Sequence, residues 1–131
     1  MIGLDTNILV RYLTHDDPVQ TAAARKILQS FTSDAPGFVS VIVVVELIWV
    51  LQTSYAFEKS EIDRVLEILL RTKDLVIEQA ESVSQALRAY RSSRADFSDC
   101  LIERIGHAAN CQSTVTFDRD AAATAGMKLL S

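Results

Sequence analysis

The stretch that most constrains the fold of this chain runs from Val41 to Leu51 and reads VIVVVELIWVL. Ten of its eleven residues are apolar, and the exception is Glu46. Its β-branched residues favour a strand locally, but strands usually end after about 3–10 residues, so we predict a helix over residues 40–55 with Ser40 as its cap. A helix that is apolar on nearly every side needs cover on nearly every side, which predicts a subunit interface as well as a core.

Glu46 needs compensation in this apolar stretch, because a carboxylate that loses its water without gaining a partner is costly. No Lys or Arg occurs between Lys26 and Lys59, so no near neighbour in the sequence neutralises it. Three compensations remain open: protonation of the carboxyl group, a basic partner distant in the sequence, or a metal ion. A simpler alternative is that the side chain reaches solvent at a groove.

The length and charge of the chain fit a single globular domain, which we place at residues 1–131. A formal net charge of −4 argues against a sequence-independent cationic binder of nucleic acid, but not against a nuclease whose positive charge is carried by metal. Cys100 and Cys111 have no metal-ligand spacing and no secretory context, which predicts reduced thiols in a cytoplasmic protein. The apolar segment Phe38–Leu51 is shorter than the roughly 20 residues that span a bilayer, so no membrane association is expected.

Short apolar strands alternate with helices along the whole chain. The predicted strands are Met1–Leu4, Phe38–Val39, Leu75–Ile77 and Thr114–Phe117, with Lys128–Leu130 as an edge strand. This alternation is typical of an α/β protein, here a three-layer α/β/α arrangement with a central, mainly parallel sheet of four to five strands. Ligands bind such sheets at the carboxyl ends of the strands.

Four carboxylates are placed so that each can reach one end of the predicted sheet. They are Asp5 after the first strand, Glu46 two turns into its helix, Asp99 in the first turn of a helix, and Asp118 after the fourth strand. Taken alone, Asp5, Asp99 and Asp118 would each more often be helix caps. Together, four clustered carboxylates repel one another unless cations are present, and oxygen-only ligands select Mg²⁺ or Mn²⁺, so we predict one or two ions per site.

Four motifs in a fixed order carry a resemblance to a known family. They are LDTN at Leu4–Asn7, the Ser40 to Glu46 spacing, ADFSDCLI at Ala95–Ile102, and TFDRD at Thr116–Asp120. This order resembles the PIN-domain ribonucleases, and within them the VapC-type toxins of bacterial toxin–antitoxin pairs. The resemblance implies a PIN-like fold and Mg²⁺- or Mn²⁺-dependent endoribonuclease activity with Asp5, Glu46, Asp99 and Asp118 as the catalytic, metal-binding residues. It also implies a homodimer that is inhibited by a small antitoxin protein.

Several polar residues near these acids have open roles. Asp96 and Asp120 are candidates for a further or alternative ligand, and Asp120 competes with Asp118 for the fourth role. Thr6, Asn7 and Thr116 are either helix caps or residues that orient a ligand. Arg88, Arg91 and Arg94 recur every third residue and form either a phosphate-binding face or a solvated charged face.

Two other classes of protein compete with the ribonuclease. A phospho-acceptor receiver domain also clusters acids at strand ends, but it needs paired acids after an early strand and a Lys after a late one, which LDTN and TFDRD do not supply. The second is a catalytically silent PIN fold used only for binding. All four acids are present in the sequence, and this favours the enzyme.

Overall fold

The computed structural model describes all residues from Met1 to Ser131. Seven helices are present: α1 (Thr6–Thr14), α2 (Pro18–Ser30), α3 (Val41–Ser54), α4 (Lys59–Arg71), α5 (Ala80–Arg91), α6 (Phe97–Ala108) and α7 (Arg119–Thr124). Five short strands accompany them: β1 (Ile2–Gly3), β2 (Gly37–Val39), β3 (Leu75–Ile77), β4 (Val115–Thr116) and β5 (Lys128–Leu129). No helix is long and apolar enough to cross a membrane.

All strand pairing is parallel, which confirms the predicted α/β class. Strands β1, β2 and β3 lie side by side in that order, with Gly37 in register with Ile2 on one side and Leu75 on the other. Strands β4 and β5 pair with each other, Val115 facing Lys128. A single sheet of four to five strands is not confirmed, because the backbone bonds give one sheet of three strands and one of two.

The chain forms two compact units, which we call the N-terminal unit (Met1–Glu78) and the C-terminal unit (Gln79–Ser131). In the N-terminal unit, α1 packs on α2 and α3, and α3 packs on α4. In the C-terminal unit, α5 packs on α6, and the rings of Tyr90 and Phe97 meet edge to face with their centroids 5.9 Å apart. Each unit therefore carries a packed apolar interior of its own.

The predicted helix in the apolar stretch is confirmed as α3, and the Ser40 hydroxyl caps it by accepting from the Val43 amide at 3.2 Å. One side of α3 is buried and is formed by Val44, Leu47, Ile48 and Leu51. On the open side, Ile42 is 77% and Trp49 is 62% exposed. The single chain therefore covers only part of α3, through its packing on α1 and α4. Cover of the open side by a second subunit stays a prediction.

Helices α1 and α4 in the N-terminal unit each begin directly after an acid. The cap of α1 is Asp5, whereas Thr6 and Asn7 already lie inside the helix. Helix α4 begins at Lys59, where the amide of Glu58 donates to Glu61 Oε1 at 2.9 Å. In both cases an acid takes the cap position, where its negative charge suits the positive end of the helix.

Candidate functional site

The first candidate cluster lies where β1 ends and α1 begins. Asp5 is exposed, and its Oδ1 accepts from the Thr6 amide at 2.7 Å. This bond satisfies one of the amides that a helix start leaves without an internal partner. It uses one carboxylate oxygen as a cap and leaves the other for a ligand.

A side-chain hydrogen bond joins this helix start to the middle of α3. The hydroxyl of Thr6, which is buried, donates to Glu46 Oε1. Asp5, Thr6, Asn7 and Glu46 line one cleft of about 460 Å³. The N-terminal unit therefore brings four of the predicted residues together, although they come from two separate parts of the sequence.

The predicted setting of Glu46 is wrong in one respect. The residue is exposed, on the same open side of α3 as Ile42 and Trp49. An apolar sequence around a residue does not bury it when the helix packs along one side only. The simpler alternative, a Glu that reaches solvent at a groove, describes its position, and Thr6 supplies its hydrogen bond.

Arg11 belongs to the same cleft and is absent from the residues that the sequence predicts for the site. It lies one helical turn beyond Asn7 on α1, so the spacing of four residues is a signal that places both on one face. Its guanidinium group bonds to Asp16, Gln20 and Tyr55. The cleft therefore contains a fixed cation beside two carboxylates.

The second candidate cluster lies in the C-terminal unit. Four acids line one cavity of about 390 Å³ together with Arg94 and Thr124: Asp96, Asp99, Asp118 and Asp120. Asp96 stands at the cap position of α6, but its side chain makes no capping bond. Asp99 follows one turn later, and it is half-buried.

Asp118 is held in place as the cap of α7. Its Oδ1 accepts from the amides of Asp120 at 2.8 Å and Ala121 at 3.2 Å. The amide of Asp118 in turn donates to the Thr116 hydroxyl at 3.0 Å. Thr116 therefore holds the turn that carries this acid, and a role in orienting a ligand stays a prediction.

The acids of this cluster repel one another. Partial burial raises the pKa of Asp99, and the negative charges of Asp96 and Asp118 raise it further. Asp120 is not among the groups that shift Asp99, although it lines the same cavity. Asp118 therefore acts on the charge of Asp99, and the choice between Asp118 and Asp120 as the fourth ligand stays a prediction.

The donor set fits a hard divalent cation by chemistry and by charge. Both cavities offer carboxylate and hydroxyl oxygens with no sulfur or imidazole among them. The repulsion at Asp99 is the kind of strain that a cation relieves. No three His, Cys, Asp or Glu side chains are drawn close enough together to ligate one ion.

Of the three arginines that recur every third residue, Arg94 lines the cavity of the four acids. Arg88 lines a different cavity with Gln85, Glu103 and Arg104. The spacing of three residues therefore does not place these arginines together beside the acids. Arg88 and Arg94 do not share the cavity that a phosphate-binding row of arginines would need.

The fold and the two clusters define an α/β protein with acids that follow its parallel strands. Comparison with known proteins gives its family. The chain belongs to the PIN domain family, whose sequence model matches residues 2–127. A curated relative, the VapC ribonuclease of Aquifex aeolicus (strain VF5), is 23% identical over 116 residues, which cover 88% of this chain and 86% of that protein. The resemblance indicated by the four motifs is confirmed.

Proposed function

We propose that this protein is a divalent-metal-dependent endoribonuclease that cleaves RNA phosphodiester bonds and acts as the toxin of a toxin–antitoxin pair. The observation that carries the proposal is that Asp96, Asp99, Asp118 and Asp120 line one cavity. Partial burial there raises the pKa of Asp99, and the charges of Asp96 and Asp118 raise it further. Acids arranged in this way are typical of functional sites rather than of stabilising ones. Membership of the PIN domain family and the similarity to a VapC ribonuclease support the same activity.

The residues that we propose as metal ligands are Asp5, Glu46, Asp99 and Asp118, with Asp96 as a further candidate. Bound Mg²⁺ or Mn²⁺, as one or two ions, would offset the clustered negative charge and polarise a phosphoryl oxygen. The Thr6 hydroxyl holds Glu46, and the amides of Asp120 and Ala121 hold the carboxylate of Asp118. These bonds fix the carboxylates before any ligand arrives, which lowers the ordering cost of binding.

Three partners follow from the proposal. RNA is the substrate, which places the protein in the cytoplasm, and a small antitoxin protein is the inhibitor. The third is a second copy of the chain, which we place in part against the apolar helix α3 around Trp49. Ile42 and Trp49 are apolar and exposed there. A symmetric dimer buries the same patch from both copies.

The proposed activity is tested with purified protein and a single-stranded RNA, in Mn²⁺ and in EDTA. The parent protein is expected to cut the RNA in Mn²⁺ only, and Asp5→Asn is expected to abolish cutting while the fold stays intact by circular dichroism. Asp34→Asn, a change of equal charge in an exposed turn, is the matched control. Full activity in Asp5→Asn would sink the assignment, and an inert parent would favour a silent PIN fold.

The proposed dimer has its own test. Trp49→Glu places a charge on the exposed apolar side of α3, and it is expected to give a monomer at micromolar concentration by sedimentation. Val19→Glu changes an exposed apolar residue on α2 and should leave the dimer unchanged. A parent protein that sediments only as a monomer would contradict this part of the proposal.

A further inference from the structure

Arg11 is the only cation that lines the cleft of Asp5 and Glu46. Its Nε donates to Gln20 Oε1 at 2.7 Å. Its Nη1 donates to the Asp16 carboxylate at 3.0 and 3.3 Å and to the Tyr55 hydroxyl at 3.2 Å. Its Nη2 has no acceptor within the protein, so part of the guanidinium group is fixed and part is free to bind a ligand.

The partners of Arg11 also bind each other. The hydroxyl of Tyr55 donates to Asp16 Oδ2 at 2.6 Å, and the hydroxyl of Thr14 donates to Asp16 Oδ1 at 3.0 Å. Asp16 comes from the turn between α1 and α2, and Tyr55 from the end of α3. Three parts of the N-terminal unit therefore hold one guanidinium group in one orientation.

A purely stabilising role accounts poorly for this network. The side chains of Arg11 and Asp16 are 31% and 43% exposed, and ion pairs that meet water to this degree stabilise a fold little. What the network does achieve is a fixed guanidinium group beside two carboxylates. Those carboxylates repel the phosphates of an RNA strand, and a chain of net charge −4 has few cations to offset them.

We propose that Arg11 binds a backbone phosphate of the RNA substrate in the cleft of Asp5 and Glu46, with Asp16 and Tyr55 as positioning residues. The planar guanidinium group matches the oxygens of a phosphate better than a Lys ammonium does. Fixing it in advance removes the cost of ordering a long side chain on binding. The proposal rests on the proposed ribonuclease function, since it names the contact that seats that substrate.

The first measurement is the binding of a fluorescent single-stranded RNA to Asp5→Asn protein in Mg²⁺ over a range of salt concentrations. Adding Arg11→Gln is expected to raise Kd about tenfold. It should also reduce the slope of log Kd against log salt by about 0.7, the value for one phosphate contact on a single strand. Arg11→Lys keeps the charge and should keep the slope, with weaker binding because the planar group is lost.

The second measurement is steady-state cleavage by proteins that retain Asp5. Arg11→Gln is expected to raise KM about tenfold and to change kcat by less than about twofold, because it removes binding rather than chemistry. Tyr55→Phe should move KM in the same direction by a smaller factor. The matched control is Arg71→Gln on α4. The Nε of Arg71 pairs with Glu67 at 2.7 Å, and Arg71 does not line the cleft, so the change should leave KM and the salt slope unchanged.

The outcomes separate this inference from the function on which it rests. A salt slope and a KM that stay at the parent values in Arg11→Gln, with only a lower melting temperature, would show that Arg11 is structural and would overturn the inference alone. RNA binding that loses one phosphate contact in Arg11→Gln, in a protein that cuts no RNA, would uphold the inference and overturn the ribonuclease. A protein that neither binds nor cuts RNA overturns both.

Discussion

The two acid clusters of this molecule differ in what surrounds their carboxylates. In the N-terminal unit, Asp5 and Glu46 each accept a hydrogen bond from Thr6, and Arg11 lies in the same cleft. In the C-terminal unit, Asp99 is partly buried and lies in one cavity with three other acids. The acids of the first cluster accept hydrogen bonds from the protein, whereas the second cluster brings several negative charges into one cavity.

This difference indicates which cluster a bound cation stabilises more. Donors from the fold already compensate the N-terminal acids in part, so their metal-free state costs little. The C-terminal acids have Arg94 at the edge of their cavity, yet the pKa of Asp99 is still raised. We therefore expect the C-terminal cluster to respond more strongly to metal and to pH, and the N-terminal cluster to respond more strongly to loss of its hydrogen bonds.

The largest expected effect concerns whether the clusters act together in cleavage. Asp5→Asn and Asp99→Asn are each expected to lower kcat by about 100-fold or more, and the double variant should be little worse than either single one, because residues that act as a unit are not additive. Single-turnover cleavage of one RNA measures all three. Losses that multiply in the double variant would mean that the two clusters contribute independently.

The next effect is the change in melting temperature when one acid of each unit is neutralised, and it should have opposite signs in the two units. The pKa of Asp99 lies above its ordinary value near 3.8, so the folded state holds its proton more tightly and the free energy of unfolding falls as pH rises through that range. Asp99→Asn removes this loss. Its metal-free melting temperature should equal or exceed that of the parent at neutral pH, and the difference should vanish in acid.

Asp16 in the N-terminal unit is the counterpart for this test. The hydrogen bond from Tyr55 is the main cause of its lowered pKa, with further contributions from Thr14 and Arg11. The stability that it contributes is present above the ordinary pKa and is lost as pH falls through the lowered value. Asp16→Asn should therefore melt below the parent at neutral pH and converge with it in acid. If Asp16→Asn and Asp99→Asn both raised, or both lowered, the melting temperature at neutral pH, the contrast between the units would be wrong.

The smallest expected effect concerns Thr6. Thr6→Val keeps the shape of this buried side chain but removes its bond to Glu46, and it should lower the free energy of unfolding by about 1 kcal/mol. Thr6→Ser keeps the hydroxyl and serves as the control. Urea denaturation of both variants measures the difference. A Thr6→Val protein as stable as the parent would show that the hydrogen bond to Glu46 contributes nothing, and a loss in Thr6→Ser would measure the packing of the methyl group.

Much of the site follows from short-range sequence patterns. Asp5 lies just after β1 because LDTN places it there, and Asp96 and Asp99 share one helix turn because the ADFSD spacing sets them three residues apart. The helix over the apolar stretch is also predictable, since its length excludes a strand. These features depend on neighbours in the sequence, which is why they can be predicted without the structure.

The features that the sequence does not predict depend on distant partners. Arg11 meets Tyr55 across 44 positions, and Thr6 meets Glu46 across 40. No local pattern encodes either contact. The exposure of Glu46 is a similar case, because the apolar composition of α3 does not tell which of its sides the other helices cover.

The measurement that tests the central claim most directly is the thermal stability of the parent and of Glu46→Gln, each in EDTA and in Mn²⁺. If Glu46 and the other acids hold a divalent cation, Mn²⁺ at 100 times its Kd should stabilise the parent by about 2.7 kcal/mol, because the unfolded chain has no assembled site. Glu46→Gln should weaken that gain while its stability in EDTA stays near that of the parent. A Glu46→Gln protein whose melting temperature rises in Mn²⁺ as much as that of the parent would contradict the account.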